Sequence, residues 1–314
     1  MRGRATLERN SEIVFGGIFS LAVITLNPDV MQITLLPDGH HSADPGLPGY
    51  CIINPMKATT TQVLTFVIAA LTIIASVGGL FIPNLYRDAA FYKTAWQAND
   101  TVTLILIPAL IASQRLSREG DPKAKVIWLG LVAYLFYNYA FYLFGAAFNW
   151  FFVVYSSLLA LALYTFILGL FEIDRQIDKT PVVKHRYFFC AFFLLTALPL
   201  GIVELRQYIS FILTGDSPEI PSLILALDLS LVVPSALLSA ILLARRHPWG
   251  YWLGGIMLVK SLTYGMVLIT GTLAIASEGV GPMDPLLPFY IFICAGGLIF
   301  LVILIRQGVT SPTL

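Results

Sequence analysis

Eight long apolar stretches follow one another along this chain of 314 residues. A helix needs about 20 apolar residues to cross the roughly 30 Å hydrocarbon core of a bilayer. Hydrophobic residues make up 57% of the chain and charged residues only 12%, whereas soluble domains carry about 25% charged residues. The pattern predicts an all-α polytopic transmembrane helix bundle of about eight spans, at 62–82, 101–114, 126–148, 150–171, 187–208, 222–244, 249–275 and 286–305.

Lysine and arginine residues are concentrated in every second gap between these stretches. The gaps after spans 3, 5 and 7 hold none, and the gap after span 1 holds Arg87 and Lys93. The basic gaps follow spans 2, 4 and 6, with one more cation after span 8: Arg115, Arg118, Lys123, Lys125; Arg175, Lys179, Lys184, Arg186; Arg245, Arg246; Arg306. Because cytoplasmic loops are enriched in lysine and arginine, both termini are expected in the cytoplasm.

Composition argues against several classes of protein. A net charge of +1 does not favour a nucleic-acid surface. No histidine falls inside a predicted span, which argues against haem b and against histidine-rich metal sites in the membrane. Known catalytic signatures such as GxSxG, HExxH and Walker A are missing. We therefore expect no metal and no cofactor, and the expected partners are the lipid bilayer and a small-molecule or ion substrate.

The first 55 residues fit the pattern least well. Their apolar run Ile13–Leu26 follows three arginines and resembles a signal peptide, yet export at that point would invert every later loop against its charge. Met56 lies just before the first span and looks like a natural start. Residues 1–55 are thus expected to be a misassigned or disordered extension, or alternatively a real surface segment, and 56–314 the membrane domain.

The two halves of the membrane domain, about 62–171 and 187–305, resemble each other. The triplet Trp-Leu-Gly occurs at 128–130 and again at 252–254, after a basic loop in each case. Span 2 begins at Asp100 and span 6 carries Asp228, each with a proline further along. This favours a 4+4 parallel repeat, an arrangement used by transporters, although such features are also common in unrelated membrane helices.

Two charged residues lie inside predicted spans. Asp228 is about 9 Å deep in span 6, and Lys260 is roughly halfway through span 7. Because a charge in the bilayer core costs about 2.5–3.5 kcal/mol, we expect the two side chains to pair directly or through water. The pair would serve a proton, an ion or a substrate, or it would be a fixed ion pair that locks two helices.

Two further polar groups are candidates for a site. Charged residues near one face, Arg87, Asp100, Glu204 and Arg206, would form either a solvated rim or a vestibule for an anionic or zwitterionic ligand. Tyr134, Asn138 and Tyr142 are spaced four apart on span 3 and share one face. That face would hydrogen-bond to another helix or line a cavity.

The segment YNYAFYLFGAAFN within Trp128–Tyr155, and DLSLVVP and RRHPWGYWL within Asp228–Tyr264, resemble a group of bacterial integral-membrane proteins of no known activity. The likeness covers most of 56–306. It implies a multi-pass protein of the bacterial plasma membrane and assigns no functional residue.

Together these patterns favour a small-solute or ion carrier that uses Asp228 and Lys260. The alternatives are a membrane sensor or assembly subunit that does not transport, and a lipid-modifying enzyme. A carrier predicts a water-accessible cavity that reaches Asp228 and Lys260 between the two halves, whereas an interaction subunit predicts a solid core and an apolar, glycine-rich lateral face.

Overall fold

The computed structural model describes residues 12–15, 22–27, 30–35, 58–174, 177, 180, 183–218 and 221–307. In the part from residue 58 onward, eight helices are long and apolar enough to cross a membrane. They are α1 Ala58–Phe81, α2 Ala90–Arg118, α3 Pro122–Gly145, α4 Phe152–Asp174, α5 Arg186–Thr214, α6 Ser222–Ala244, α7 Pro248–Ser277 and α8 Leu287–Arg306. The chain is therefore a multi-pass membrane protein, and the all-α, eight-span prediction is confirmed for this part.

Residues 1–55 form a separate unit. Three short strands are described there, β1 Glu12–Phe15, β2 Ala22–Asn27 and β3 Val30–Leu35, in an antiparallel sheet of order β1-β2-β3. The sequence pattern did not predict these strands. The rest of this unit lies outside the described residues, so the expectation of a disordered or misassigned extension stays a prediction.

The second span is much longer than predicted. The sequence indicated 101–114, whereas α2 begins eleven residues earlier and ends four later. The hydropathy pattern did not reveal the first third of α2, because that part of the helix contains Gln97, Asn99 and Asp100, which are unfavourable in contact with lipid. Asn99 and Asp100 are buried against the bundle instead. They are therefore compatible with a membrane-spanning helix.

Local sequence explains how the two central helices start. Pro122 occupies the first turn of α3, and the Asp121 side chain accepts a hydrogen bond from the backbone N–H of Lys123 at 2.9 Å. In the same way Pro248 opens α7, and the His247 ring accepts from the N–H of Trp249 at 3.3 Å. Proline suits the first turn because its missing N–H has no partner there anyway.

Helices pair in the same order in the two halves. In the first half α1 contacts α2, α2 contacts α3, α3 contacts α4, and α1 contacts α4; the corresponding pairs of α5 to α8 are also in contact. The halves meet where α3 packs on α7, with α2 against α7 and α3 against the start of α6. This is the pairing that a 4+4 repeat predicts, and the repeat itself stays a prediction.

Candidate functional site

Asp228 lies at a break in the regular geometry of α6. Residues Asp228–Val232 form a π-helical turn, in which the N–H of Val233 bonds back to the carbonyl of Asp228. Pro234 follows directly and has no N–H of its own to continue the regular ladder. Such turns occur often at functional sites. The Asp228 side chain is only 4% exposed, and the Tyr137 hydroxyl of α3 donates a hydrogen bond to its Oδ1.

Lys260 lies on the other side of the same tyrosine. Its Nζ is 3.7 Å from the centre of the Tyr137 ring and 4.6 Å from the centre of the Tyr264 ring. The two rings meet edge to face, with centroids 5.3 Å apart. An ammonium over an aromatic face gains about 2 kcal/mol when it is removed from water. The two tyrosines thus hold a lysine that is 8% exposed.

The predicted pairing of Asp228 and Lys260, directly or through water, is not a direct ion pair. In the described part of the chain no ion pair joins them, and the salt bridge found there is Lys125–Glu172. Tyr137 is the bridge, with its hydroxyl on Asp228 and its ring under Lys260. The two charges are brought together as expected, but by an aromatic side chain rather than by contact of the charged groups.

Glu204 joins this group from α5. It is 1% exposed and interacts with Asp228 both electrostatically and through a side-chain hydrogen bond. We call Glu204, Asp228, Lys260, Tyr137 and Tyr264 the Asp228 cluster. Four helices, α3, α5, α6 and α7, therefore contribute to one buried group of two carboxyls and one amine.

The predicted outer vestibule does not form as a unit. Arg87 and Arg206 are exposed, but Asp100 and Glu204 are buried at 2% and 1% exposure. The expectation that Asp100 and Glu204 lie in a solvated rim is therefore wrong. Glu204 belongs to the Asp228 cluster, and Asp100 lies in a different polar group in the first half of the bundle. Whether the two arginines bind a ligand stays a prediction.

Asp100 is held by two tyrosines. The Tyr86 hydroxyl donates to its Oδ2 at 2.5 Å, and the Tyr142 hydroxyl donates to its Oδ1 at 3.0 Å. Tyr86 lies between α1 and α2, where burial, followed by the charge of Asp100, raises its pKa well above the ordinary value. Tyr86 therefore keeps its proton and remains a donor.

The polar face of span 3 is used for helix contact. Asn99 donates to the Asn138 side chain at 2.6 Å, and the hydroxyls of Thr103 and Tyr134 are 2.7 Å apart. Tyr142 reaches Asp100, as described above. All three predicted residues, Tyr134, Asn138 and Tyr142, thus bond to α2, which favours the interpretation as interhelical hydrogen bonding over a cavity lining.

Sequence reasoning missed several members of these groups. Tyr137 was passed over because it is on a different face from Tyr134 and Asn138. Asn99 and Thr103 were missed because span 2 was drawn too short; their spacing of four, matched by Tyr134 and Asn138, was the available signal. The Lys125–Glu172 ion pair, at 2.5 Å, joins α3 to α4 and also receives the Thr61 hydroxyl.

No protein-family model, no curated protein and no solved structure matches the chain. The site must therefore be interpreted from its own chemistry. Among the described residues, no group of three or more His, Cys, Asp or Glu side chains could hold a metal ion. The Asp228 cluster offers two proton-accepting carboxyls beside one amine, which suits a proton, a cation or a small zwitterion.

Proposed function

We propose that the chain is a carrier for a small solute or an ion, and that the Asp228 cluster is its binding site. One observation supports this most. Two acidic groups and one lysine are buried together within the membrane bundle, and their charges are not matched by direct ion pairs. Buried charge is costly in a bilayer and marks ion and substrate pathways there.

A fixed structural lock would look different. A lock is strongest when both charged groups and all their lone pairs are satisfied. In this cluster Glu204 contacts another carboxyl, Asp228, rather than a cation, and Lys260 rests on two aromatic rings rather than on a carboxylate. The two carboxyls and the amine are thus not locked to one another by direct ion pairs.

The backbone near Asp228 supports the same interpretation. A π-helical turn followed by Pro234 places irregular backbone at membrane depth, which is tolerated where it is buried in protein or lines a water-filled cavity. Transporters commonly build their sites at such interrupted helices near the interface between two halves. Tyr137 comes from the first half of the chain, and the other four members come from the second.

We further propose a bacterial plasma membrane as the location, with both termini in the cytoplasm. The alternation of basic gaps and the resemblance of Trp128–Tyr155 and Asp228–Tyr264 to bacterial membrane proteins support this. A reporter fused after Asp216, in the cation-free gap between α5 and α6, should read out as periplasmic. A cytoplasmic signal there would contradict the orientation.

A flux assay tests the carrier proposal. The full chain is reconstituted into vesicles that contain a pH-sensitive dye and are loaded in turn with amino acids, organic acids, Na⁺ and K⁺. At least one compound should drive a flux that Asp228→Asn and Lys260→Met abolish. Asp216→Asn, which changes an exposed carboxyl outside the helices, should keep the flux of the unaltered protein.

Two outcomes would contradict the proposal. One is a folded, reconstituted protein that moves none of these compounds, which would favour a sensor or assembly subunit. The other is a flux that Asp228→Asn leaves unchanged, because transport would then not use the Asp228 cluster.

A further inference from the structure

The two carboxyls of the Asp228 cluster contact each other. Glu204 of α5 and Asp228 of α6 are joined by a side-chain hydrogen bond, and they are 1% and 4% exposed. An ionised carboxylate has only acceptor oxygens, so a hydrogen bond between two carboxyls requires a proton on one of them. Two adjacent carboxylates also repel each other, which disfavours the state in which both are ionised. The contact between α5 and α6 therefore requires one proton.

The other titratable groups around these carboxyls come from three helices that pack in the same half of the bundle or against it. Helix α3 supplies Tyr137, whose hydroxyl donates to Asp228. Helix α7 supplies Lys260, which interacts electrostatically with Asp228, and Tyr264, which interacts with both carboxyls. Helix α8 supplies Tyr290, which interacts with Tyr264. In the described part of the chain, Lys260 is the cation of this group.

A single proton brings the net charge of this group to zero. Glu204 and Asp228 with one proton between them carry one negative charge, and Lys260 carries one positive charge. Arg206 follows Glu204 by two residues but is exposed, so it does not enter this balance. Without the proton the group would be negative, and with a second proton it would be positive. Because a buried net charge is costly in a bilayer, the state with one proton is favoured.

We propose that Glu204 and Asp228 share one exchangeable proton, and that this proton is the ion to which the carrier couples transport. The inference rests on the proposed function, because it assigns the coupling ion at the same binding site. When a cationic group of the transported compound enters between the two carboxyls, the proton leaves them. One positive charge then replaces another, and the charge of the Asp228 cluster stays at zero.

Infrared spectroscopy of the full chain in detergent detects the shared proton without any transport measurement. At neutral pH the unaltered protein should show the C=O stretching band of a protonated carboxyl. Glu204→Gln and Asp228→Asn should each remove this band, because the carboxyl that is left ionises opposite Lys260. Lys260→Met should instead raise the intensity of the band, because the cluster then needs a second proton to stay neutral.

Asp100→Asn is the matched control, since Asp100 is a buried carboxyl outside the Asp228 cluster. In this background Glu204→Gln should cause the same loss of intensity. If the band survives in Asp228→Asn, Glu204 holds the proton alone and the sharing is overturned. A band that does not respond to Glu204→Gln or to Lys260→Met overturns it equally, and these two variants decide the matter even if Asp228→Asn does not fold.

The pH-sensitive dye inside the vesicles tests the coupling. As the loaded compound leaves, protons should enter in exchange and the lumen should become more acidic. A flux without any change in lumenal pH, or with a more alkaline lumen, would overturn proton exchange and leave the carrier proposal intact. A protein that shows the infrared band but no flux would contradict the carrier proposal and the coupling with it, whereas the shared proton would stand.

Discussion

Tyr137 links the two charged residues that the sequence singled out. Its hydroxyl donates to Asp228, and its ring lies 3.7 Å from Lys260 Nζ. One side chain therefore responds to the charge of both neighbours. Tyr137 is thus in contact with both the carboxyl and the amine of the Asp228 cluster.

Replacing Tyr137 by phenylalanine separates these two roles. The ring under Lys260 remains, but Asp228 loses its donor, and a buried carboxylate without a donor costs about 1–3 kcal/mol. We expect a lower Tm in detergent and a reduced flux. Tyr164→Phe is the matched control, because Tyr164 is exposed on α4. Equal Tm values for the two variants would argue against the hydrogen bond between Tyr137 and Asp228.

A substitution at Gly79 tests the close packing around Asp100. Gly79→Ala would place a methyl group within 2.0 Å of the carboxylate, so Asp100 and Tyr86 must move apart. Overpacking of this kind costs about 1–3 kcal/mol, which unfolding in detergent can measure. Gly271→Ala is the control, since a Cβ there meets nothing within 4 Å. A Gly79→Ala protein as stable as the control would contradict the described position of Asp100.

At the residue scale, the sequence identified the right charges but not their partners. Asp228 and Lys260 were found because ionised residues are rare in apolar stretches. Glu204 was expected in a solvated rim or a vestibule because it lies near one end of the predicted span 5, and nothing in that stretch shows that α5 packs beside α6. Whether Tyr137 belongs to the Asp228 cluster depends on how α3 is rotated about its own axis. The spacing of residues along a single helix does not determine that rotation.

At the scale of elements, α2 shows where hydropathy fails. A hydropathy scale scores each residue as though it faced lipid. The residues Asn99, Asp100 and Thr103 of α2 instead face α3 and are buried. Seven of the eight predicted spans correspond closely to a helix, because apolar side chains dominate in those stretches as a whole. The pairing of polar faces between helices is long-range information and was not available from the sequence.

The contact between α2 and α3 can be measured with a double-mutant cycle. Asn99 and Asn138 form a hydrogen bond of 2.6 Å. Interhelical hydrogen bonds in membranes contribute about 0.6 kcal/mol on average and up to about 1.7 kcal/mol. Asn99→Ala, Asn138→Ala and the double variant should give a coupling energy in this range by reversible unfolding. A coupling near zero would show that the two side chains act independently.

A substitution at Pro234 tests the functional importance of the π-helical turn of α6. Pro234→Ala restores an N–H, which allows the turn to revert to regular α-helix. A π-helical turn contains one residue more than an α-helical turn. Its conversion to regular α-helix would therefore rotate Asp228 by about 100° relative to the rest of α6. We expect flux to be lost with little change in Tm. Pro108→Ala is the control, because α2 is α-helical throughout, and it should keep its flux.

At the scale of the whole molecule, the two halves meet along α3 and α7. A Cβ at Gly130 would be 2.4 Å from Val259, and a Cβ at Gly255 would be 2.4 Å from Val126. Glycines in membrane helices allow such close approach. Helix α3 also contributes Tyr142 to Asp100 and Tyr137 to Asp228. A shift of α3 against α7 would therefore change both polar groups at once.

The most direct test of the carrier account measures flux and thermal stability side by side in Asp228→Asn. If the Asp228 cluster binds the transported species, this variant folds but loses its flux. If the cluster is a fixed structural feature, the variant keeps its flux and its Tm falls. The first result is the one we predict, and the second would contradict the account.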